Sequence, residues 1–145
     1  MIISWPLILT TPMSRQTENR FVVLVCGGRN FNDHLLVFRI LDEINILEPI
    51  TLIVQGYARG ADRLADEWAR KRGVPSTGKQ YEVTSEMWRQ QGRAAGHIRN
   101  HKMRVEQKPD LVLAFPGGPG TEGMCNIADR AGVPVIRVTT KGKII

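Results

Sequence analysis

Leu111-Val112-Leu113-Ala114-Phe115-Pro116-Gly117-Gly118-Pro119-Gly120-Thr121 decides the fold of this chain. Five apolar residues between Asp110 and a Pro-Gly pair read as a strand buried on both faces, the habit of a parallel sheet covered by helices. The glycines begin where that strand stops. Beyond them Met124, Ile127, Ala128 and Ala131 fall at helical spacing, and Gly132-Val133-Pro134 supplies a helix stop. The order is therefore strand, glycine loop, helix. A helix N-terminus offers unpaired N–H groups and the positive end of the peptide dipoles, so an anion is stabilised there. Gly117, Gly118 and Gly120 remove the Cβ atoms that would hold a phosphate off, and Thr121 can cap the helix or donate its hydroxyl. A single glycine would suit a tight turn alone. Three in four positions favour phosphate or carboxylate binding.

The same order recurs outward from this stretch. Phe21–Cys26 is a buried strand ending in Gly27-Gly28-Arg29-Asn30. Asn32 or Asp33 then caps a helix whose apolar face is Val37, Ile40, Leu41, Ile44 and Leu47. Ile50–Gln55 is a second strand ending in Gly56-Tyr57-Ala58-Arg59-Gly60. Ala61, Leu64, Ala65, Trp68 and Ala69 continue as an amphipathic helix closed by Gly73 and Pro75. A weak edge strand is expected between Val74 and Tyr81. A helix follows over about 86–107, with Ala94, Ile98, His101 and Val105 as its stripe. The last strand is Val133–Val138.

Strands alternating with helices of this length predict an α/β, Rossmann-like three-layer domain over residues 21–138. Its parallel sheet has about five strands in the order 3-2-1-4-5, with helices on both faces. Residues 1–20 are expected to form a tail outside the fold, and 139–145 a C-terminal tail. In that order strands one and four are neighbours whose connections leave in opposite directions, opening a crevice at their carboxyl ends. Three glycine loops gather on that edge.

With 145 residues, 42% hydrophobic and 23% charged, the chain is in the range of one globular domain. The apolar run Ile2–Leu9 is too short for a membrane span and is broken by Pro6. Two cysteines, Cys26 and Cys125, give no disulfide framework, so a cytoplasmic setting is expected. The net charge is +6 and the pI about 9.8, which suits polyanions or a small phosphorylated ligand. Much of the excess lies in one segment, where Arg89, Arg93, Arg99, Lys102, Arg104 and Lys108 face Glu106 alone.

Four ordered stretches carry a family resemblance: Val25–Asp33, Gly56–Ala65, Gly92–Asn100 (Gly-Arg-Ala-Ala-Gly-His-Ile-Arg-Asn) and Phe115–Thr121. Together they resemble the YspA group of the SLOG superfamily, from about Phe21 to Val138. That superfamily also holds the LOG cytokinin-activating phosphoribohydrolases, the DNA-processing protein DprA and nucleotide sensors of phage defence. The resemblance implies a Rossmann-like domain that binds a nucleotide or nucleotide derivative in the crevice. The LOG motif continues Pro-Gly-Gly-x-Gly-Thr-x-x-Glu, and its catalytic glutamate falls here on Met124. Glu122 lies two residues early, about 200° around the helix.

The expected ligand-binding residues are therefore Gly27, Gly28, Arg29, Gly56, Arg59, Gly60, Arg99, Asn100, Pro116, Gly117, Gly118, Gly120 and Thr121. Arg99 can clamp a phosphate and Asn100 can read a base or ribose edge, and for Arg99 the family motif favours the functional role. Tyr57 and Trp88 can stack on a base, though a lone aromatic more often packs. Three functions are carried forward. The first is a binding or sensor module for a nucleotide-type ligand, with no further cofactor. The second is an N-glycosidase acting on a nucleoside monophosphate, with Glu122 or Asp62 as its only acids. The third, less favoured, is DprA-like nucleic-acid binding through the basic segment. A homo-oligomer is compatible with the sequence but required by no residue. His97 and His101 stand four apart as metal ligands can, yet no HExxH pattern or cysteine pair joins them, and no metal is expected.

Overall fold

The computed structural model describes residues 19–145. Expectations for the N-terminal tail up to residue 18, including the Ile2–Leu9 run, lie outside the described residues. Strand β1 (Val22–Cys26) is followed by α1 (His34–Leu47), β2 (Leu52–Val54) and α2 (Ala61–Arg72). Then come α3 (Ser85–Gln91), α4 (Ala94–Gln107), β3 (Leu111–Ala114), α5 (Pro119–Arg130) and β4 (Val135–Arg137). The strands form one parallel sheet in the order β2-β1-β3-β4.

The pleat of β1 sorts its side chains into two cores. Val23 and Val25 face Val37, Ile40, Leu41 and Ile44 of α1 and Ala65, Trp68 and Ala69 of α2. Val22, Leu24 and Cys26 face Met103 of α4 and Met124, Cys125, Ile127 and Ala128 of α5. Helices thus cover both faces, as a sheet of continuous apolar strands demands. Trp68 is fully buried, and its Nε1–H donates to Asp42 on α1 at 2.8 Å. Arg72 forms an ion pair with the same carboxylate, which holds Asp42 below the usual carboxylate range with help from the indole.

Several expectations need correction. The edge strand between Val74 and Tyr81 is reduced to a single parallel bridge, Ile53 to Ser76. Its polar Ser-Thr-Gly composition gives neither face an apolar core to cover, so the sheet has four strands rather than five. The basic segment is two helices, broken at Gly92, whose φ of +57° leaves the helical region. Its expected stripe is rotated: Ala95, Asn100 and Met103 are buried, whereas Ile98 and Val105 are about half exposed.

Helix α5 starts at Pro119, earlier than its apolar spacing indicates, because proline's fixed φ suits a first helical position. Thr121 accordingly lies in the first turn and is not the cap. Arg20 is tied to the fold: its guanidinium pairs with Asp110 at 3.2 Å and donates to the carbonyls of Gln107 and Lys108. Residues 139–145 turn back along β4, where the Arg137 and Ile145 amides and carbonyls exchange hydrogen bonds.

Candidate functional site

The loops leaving β1 and β3 meet. Gly28 donates its N–H to the carbonyl of Pro116 at 2.8 Å, and a Cβ on Gly28 would sit 3.0 Å from that oxygen. A Cβ on Gly27 would lie 2.5 Å from the Cβ of Ala61, and one on Gly117 would collide with the Thr121 hydroxyl and the Gly28 amide. These three glycines are therefore explained by close packing. Gly60 is held at φ +90° against the carbonyl of Gly28. Gly118 and Gly120 differ, since a Cβ on either would meet nothing within 4 Å.

The loop after β2 is held from inside. Asp62, buried in the first turn of α2, accepts hydrogen bonds from the amides of Gly56 and Ala58 at 3.1 and 3.2 Å. Gln55, also buried, accepts from the Tyr57 amide. Asp62 thus closes the preceding loop and does not cap α2, whose cap is Gly60. Burial pushes the Asp62 carboxyl up to about 6, against the opposing pull of Arg99, the two loop amides and Arg29.

Arg99 joins this loop to α4. Its Nη1 donates to the carbonyl of Gly56 at 2.8 Å, and its Nε donates to Oδ1 of Asn100 at 2.9 Å. Asn100 in turn donates to the carbonyl of Gly120 at 3.3 Å. Burial lowers the Arg99 guanidinium from its ordinary value; Asp62 opposes that shift and the like charge of Arg29 adds to it.

These elements enclose a solvent-open cavity of about 210 Å³ beyond the carboxyl ends of β1 and β2. Arg29, Gly56, Arg59 and Arg99 line it, as four of the sequence-derived site residues. The Arg29 side chain makes no hydrogen bond or ion pair among the described residues. Arg59 reaches back to the carbonyl of Arg29 and to Asn30 at 3.4 Å.

Pro116, Gly117, Gly118, Gly120 and Thr121 do not line this cavity, and neither do Gly27, Gly28, Gly60 or Asn100. The backbone amides of Gly28, Gly56, Tyr57 and Ala58 are hydrogen-bonded within the protein. The groups that line the cavity are mainly guanidinium.

Two charged lining residues, Arg63 and Glu82, are not marked by the sequence reading. Arg63 reads as the solvent face of α2, but it lies in the helix's first turn and donates to the carbonyl of Tyr57 at 3.2 Å. Glu82, in a segment without periodicity, stands 3.9 Å from Arg63. A position just inside the helix that follows a glycine loop was the available signal for Arg63. No pattern marks Glu82.

Of the remaining acid and aromatic candidates, Tyr57 lines the cavity and the others lie elsewhere. Glu122 is exposed and held by two 2.9 Å hydrogen bonds from Arg137, away from the cavity. Met124 is fully buried in the core. Tyr57 has the Arg63 guanidinium 4.6 Å from its ring centroid and Lys79 at 5.8 Å, so its ring faces are engaged by cations. Trp88 is about half exposed on α3 and does not line the cavity. Among the described residues no helix is long and apolar enough to cross a membrane.

Comparison with known proteins agrees with this geometry at the level of fold. The molybdenum cofactor binding protein from the phototrophic bacterium Rippkaea orientalis superposes with a TM-score of 0.60 at 20% identity, covering 83% of this chain and 77% of that one. In sequence, the Gene 61 protein of Mycobacterium phage D29 is 38% identical over 126 residues, covering 82% of this chain and 97% of that protein. Residues 21–82, which hold β1, β2 and the loops forming most of the cavity, match the YspA, cpYpsA-related SLOG family. The chain is a member of that family.

Proposed function

We propose that this domain binds a small phosphorylated ligand, a nucleotide or a derivative of one, in the arginine-lined cavity, and that it works as a ligand-binding or sensor module. The observation that carries the reading is the pair Arg29 and Arg99. Two guanidinium groups face one cavity, the charge of Arg29 disfavours that of Arg99, and the Arg29 side chain makes no hydrogen bond or ion pair among the described residues. An anion between them removes that repulsion and gains charge-assisted, bidentate hydrogen bonds. Glu82, paired with Arg63 on the rim, offers acceptors to ribose hydroxyls. The cavity is smaller than the ~300 Å³ at which sites begin to enclose a whole drug-sized ligand. It therefore suits the phosphoribosyl end of a nucleotide, with the base directed outward.

The test is thermal stabilisation of the chain by adenosine monophosphate, ribose 5-phosphate and inorganic phosphate, compared with adenosine. A phosphate-bearing ligand at 100 times its Kd adds about 2.7 kcal/mol. Stabilisation by adenosine and not by the phosphates would overturn the reading.

One observation favours a second reading. A buried carboxyl titrating at about 6 beside the cavity is the environment of a general acid. On that reading Asp62 assists cleavage of an N-glycosidic bond, although Met124 occupies the place where the LOG enzymes carry glutamate. Release of free base from a nucleoside monophosphate, lost in Asp62→Asn, would establish it.

A further inference from the structure

We propose that His97 and His101 form a two-histidine site for a first-row divalent transition metal ion on the exposed face of α4. Their Nε2 atoms face each other at 3.2 Å, with ring centroids 4.6 Å apart and ring planes nearly perpendicular. Residues four apart share one face of a helix, so the backbone itself sets this pairing. A metal ion about 2.05 Å from each nitrogen would subtend an angle of about 100° across that gap, close to tetrahedral and compatible with square-planar coordination. In the metal-free chain one ring donates its N–H to the other. A small rotation of both rings turns two lone pairs toward a shared ion, which then takes the place of that proton.

Both rings are exposed, so water completes the coordination. Among the described residues no group of three or more histidines, cysteines or carboxylates gathers to form a closed structural site. Imidazole ligands select borderline transition ions and reject hard cations such as Mg²⁺ and Ca²⁺, which need oxygen ligands.

The site has a structural use. Helix α4 begins poorly: its N-cap, Arg93, makes no side-chain capping bond, and Gly96 lies in its first turn. A metal bridging His97 and His101 clamps the turn whose other side carries Arg99 and Asn100. That consequence for the cavity rests on the anion-binding reading; the metal site itself does not.

Titration calorimetry of the untagged chain with CuCl₂, NiCl₂, ZnCl₂ and MgCl₂ tests the proposal. One ion per chain is expected, tightest for Cu²⁺, with no heat of binding for Mg²⁺. His97→Gln and His101→Gln should each weaken Cu²⁺ binding by roughly tenfold or more, because each leaves a single imidazole. His34→Gln, at the remaining histidine, should leave it unchanged. All three lie on helices with exposed or half-exposed side chains, and circular dichroism checks that each variant folds. Cu²⁺ affinity that survives in the double variant His97→Gln/His101→Gln, or a native chain that takes up no Cu²⁺ or Zn²⁺, would overturn it. Loss of phosphate-ligand binding with metal uptake intact would count against the cavity alone.

Discussion

Arg99 and Gly56 are matched: the guanidinium Nη1 lies 2.8 Å from the glycine carbonyl, and any Cβ at position 56 would lie 2.1 Å from that same nitrogen. Gly56 is glycine because an arginine occupies the space a side chain would need. Gly56→Ala should expel Arg99 from its seat, costing about 1–3 kcal/mol in urea denaturation and abolishing phosphate-ligand binding. Adding Arg99→Ala should recover much of that stability and none of the binding. Recovery of binding in the double variant would show that Arg99 has no part in the site.

Asp62 gives the fold a pH dependence. Its carboxyl is raised to about 6 in the native protein, so the unfolded chain loses that proton at lower pH than the folded one. The protonated form is favoured by folding: stability is greatest below pH ~4 and falls as pH rises through about 6, by on the order of 3 kcal/mol from this group alone. Asp62→Asn should flatten that decline in thermal unfolding followed from pH 4 to 8. An unchanged profile would mean that the carboxyl titrates normally.

Gly118→Asp separates the arginine cavity from the anion site expected at the first turn of α5. Position 118 has a negative φ and open space for a Cβ, and an aspartate there can cap α5, so stability should hold or rise slightly. A ligand confined to the arginine cavity should keep its affinity within about twofold in equilibrium titration, whereas one whose phosphate reaches the first turn of α5 should lose tenfold or more, about 1.4 kcal/mol.

Arg20→Ala should cost about 1–2 kcal/mol, measured by urea denaturation, without altering ligand affinity. The variant removes the Asp110 pair and two carbonyl contacts at the end of α4, remote from the cavity.

The parallel sheet, its order and its covering helices were legible because β1 and β3 are continuous apolar runs ending in glycine, and nothing but a doubly covered sheet accommodates them. The failures have local causes. Of the two roles open to Thr121, the cap is excluded, because Pro119 starts the helix and Gly118 is its cap. The apolar spacing of Ile98 and Val105 is genuine, yet their face points to solvent because the polar Asn100 has partners within the fold. Gly27, Gly28 and Gly117, expected as a phosphate cradle, are also contact points between chain segments. Packing and ligand approach both select glycine, and the alphabet does not distinguish them. Glu82 was invisible because its position depends on a long irregular segment returning over the loop after β2.

The bond from the Gly28 amide to Pro116 extends the seam between β1 and β3 past the last paired residues of the sheet. Two connections that diverge to opposite faces are thereby stitched at their common origin. A ligand entering the pocket therefore meets a floor whose two loops are already fastened together at their root.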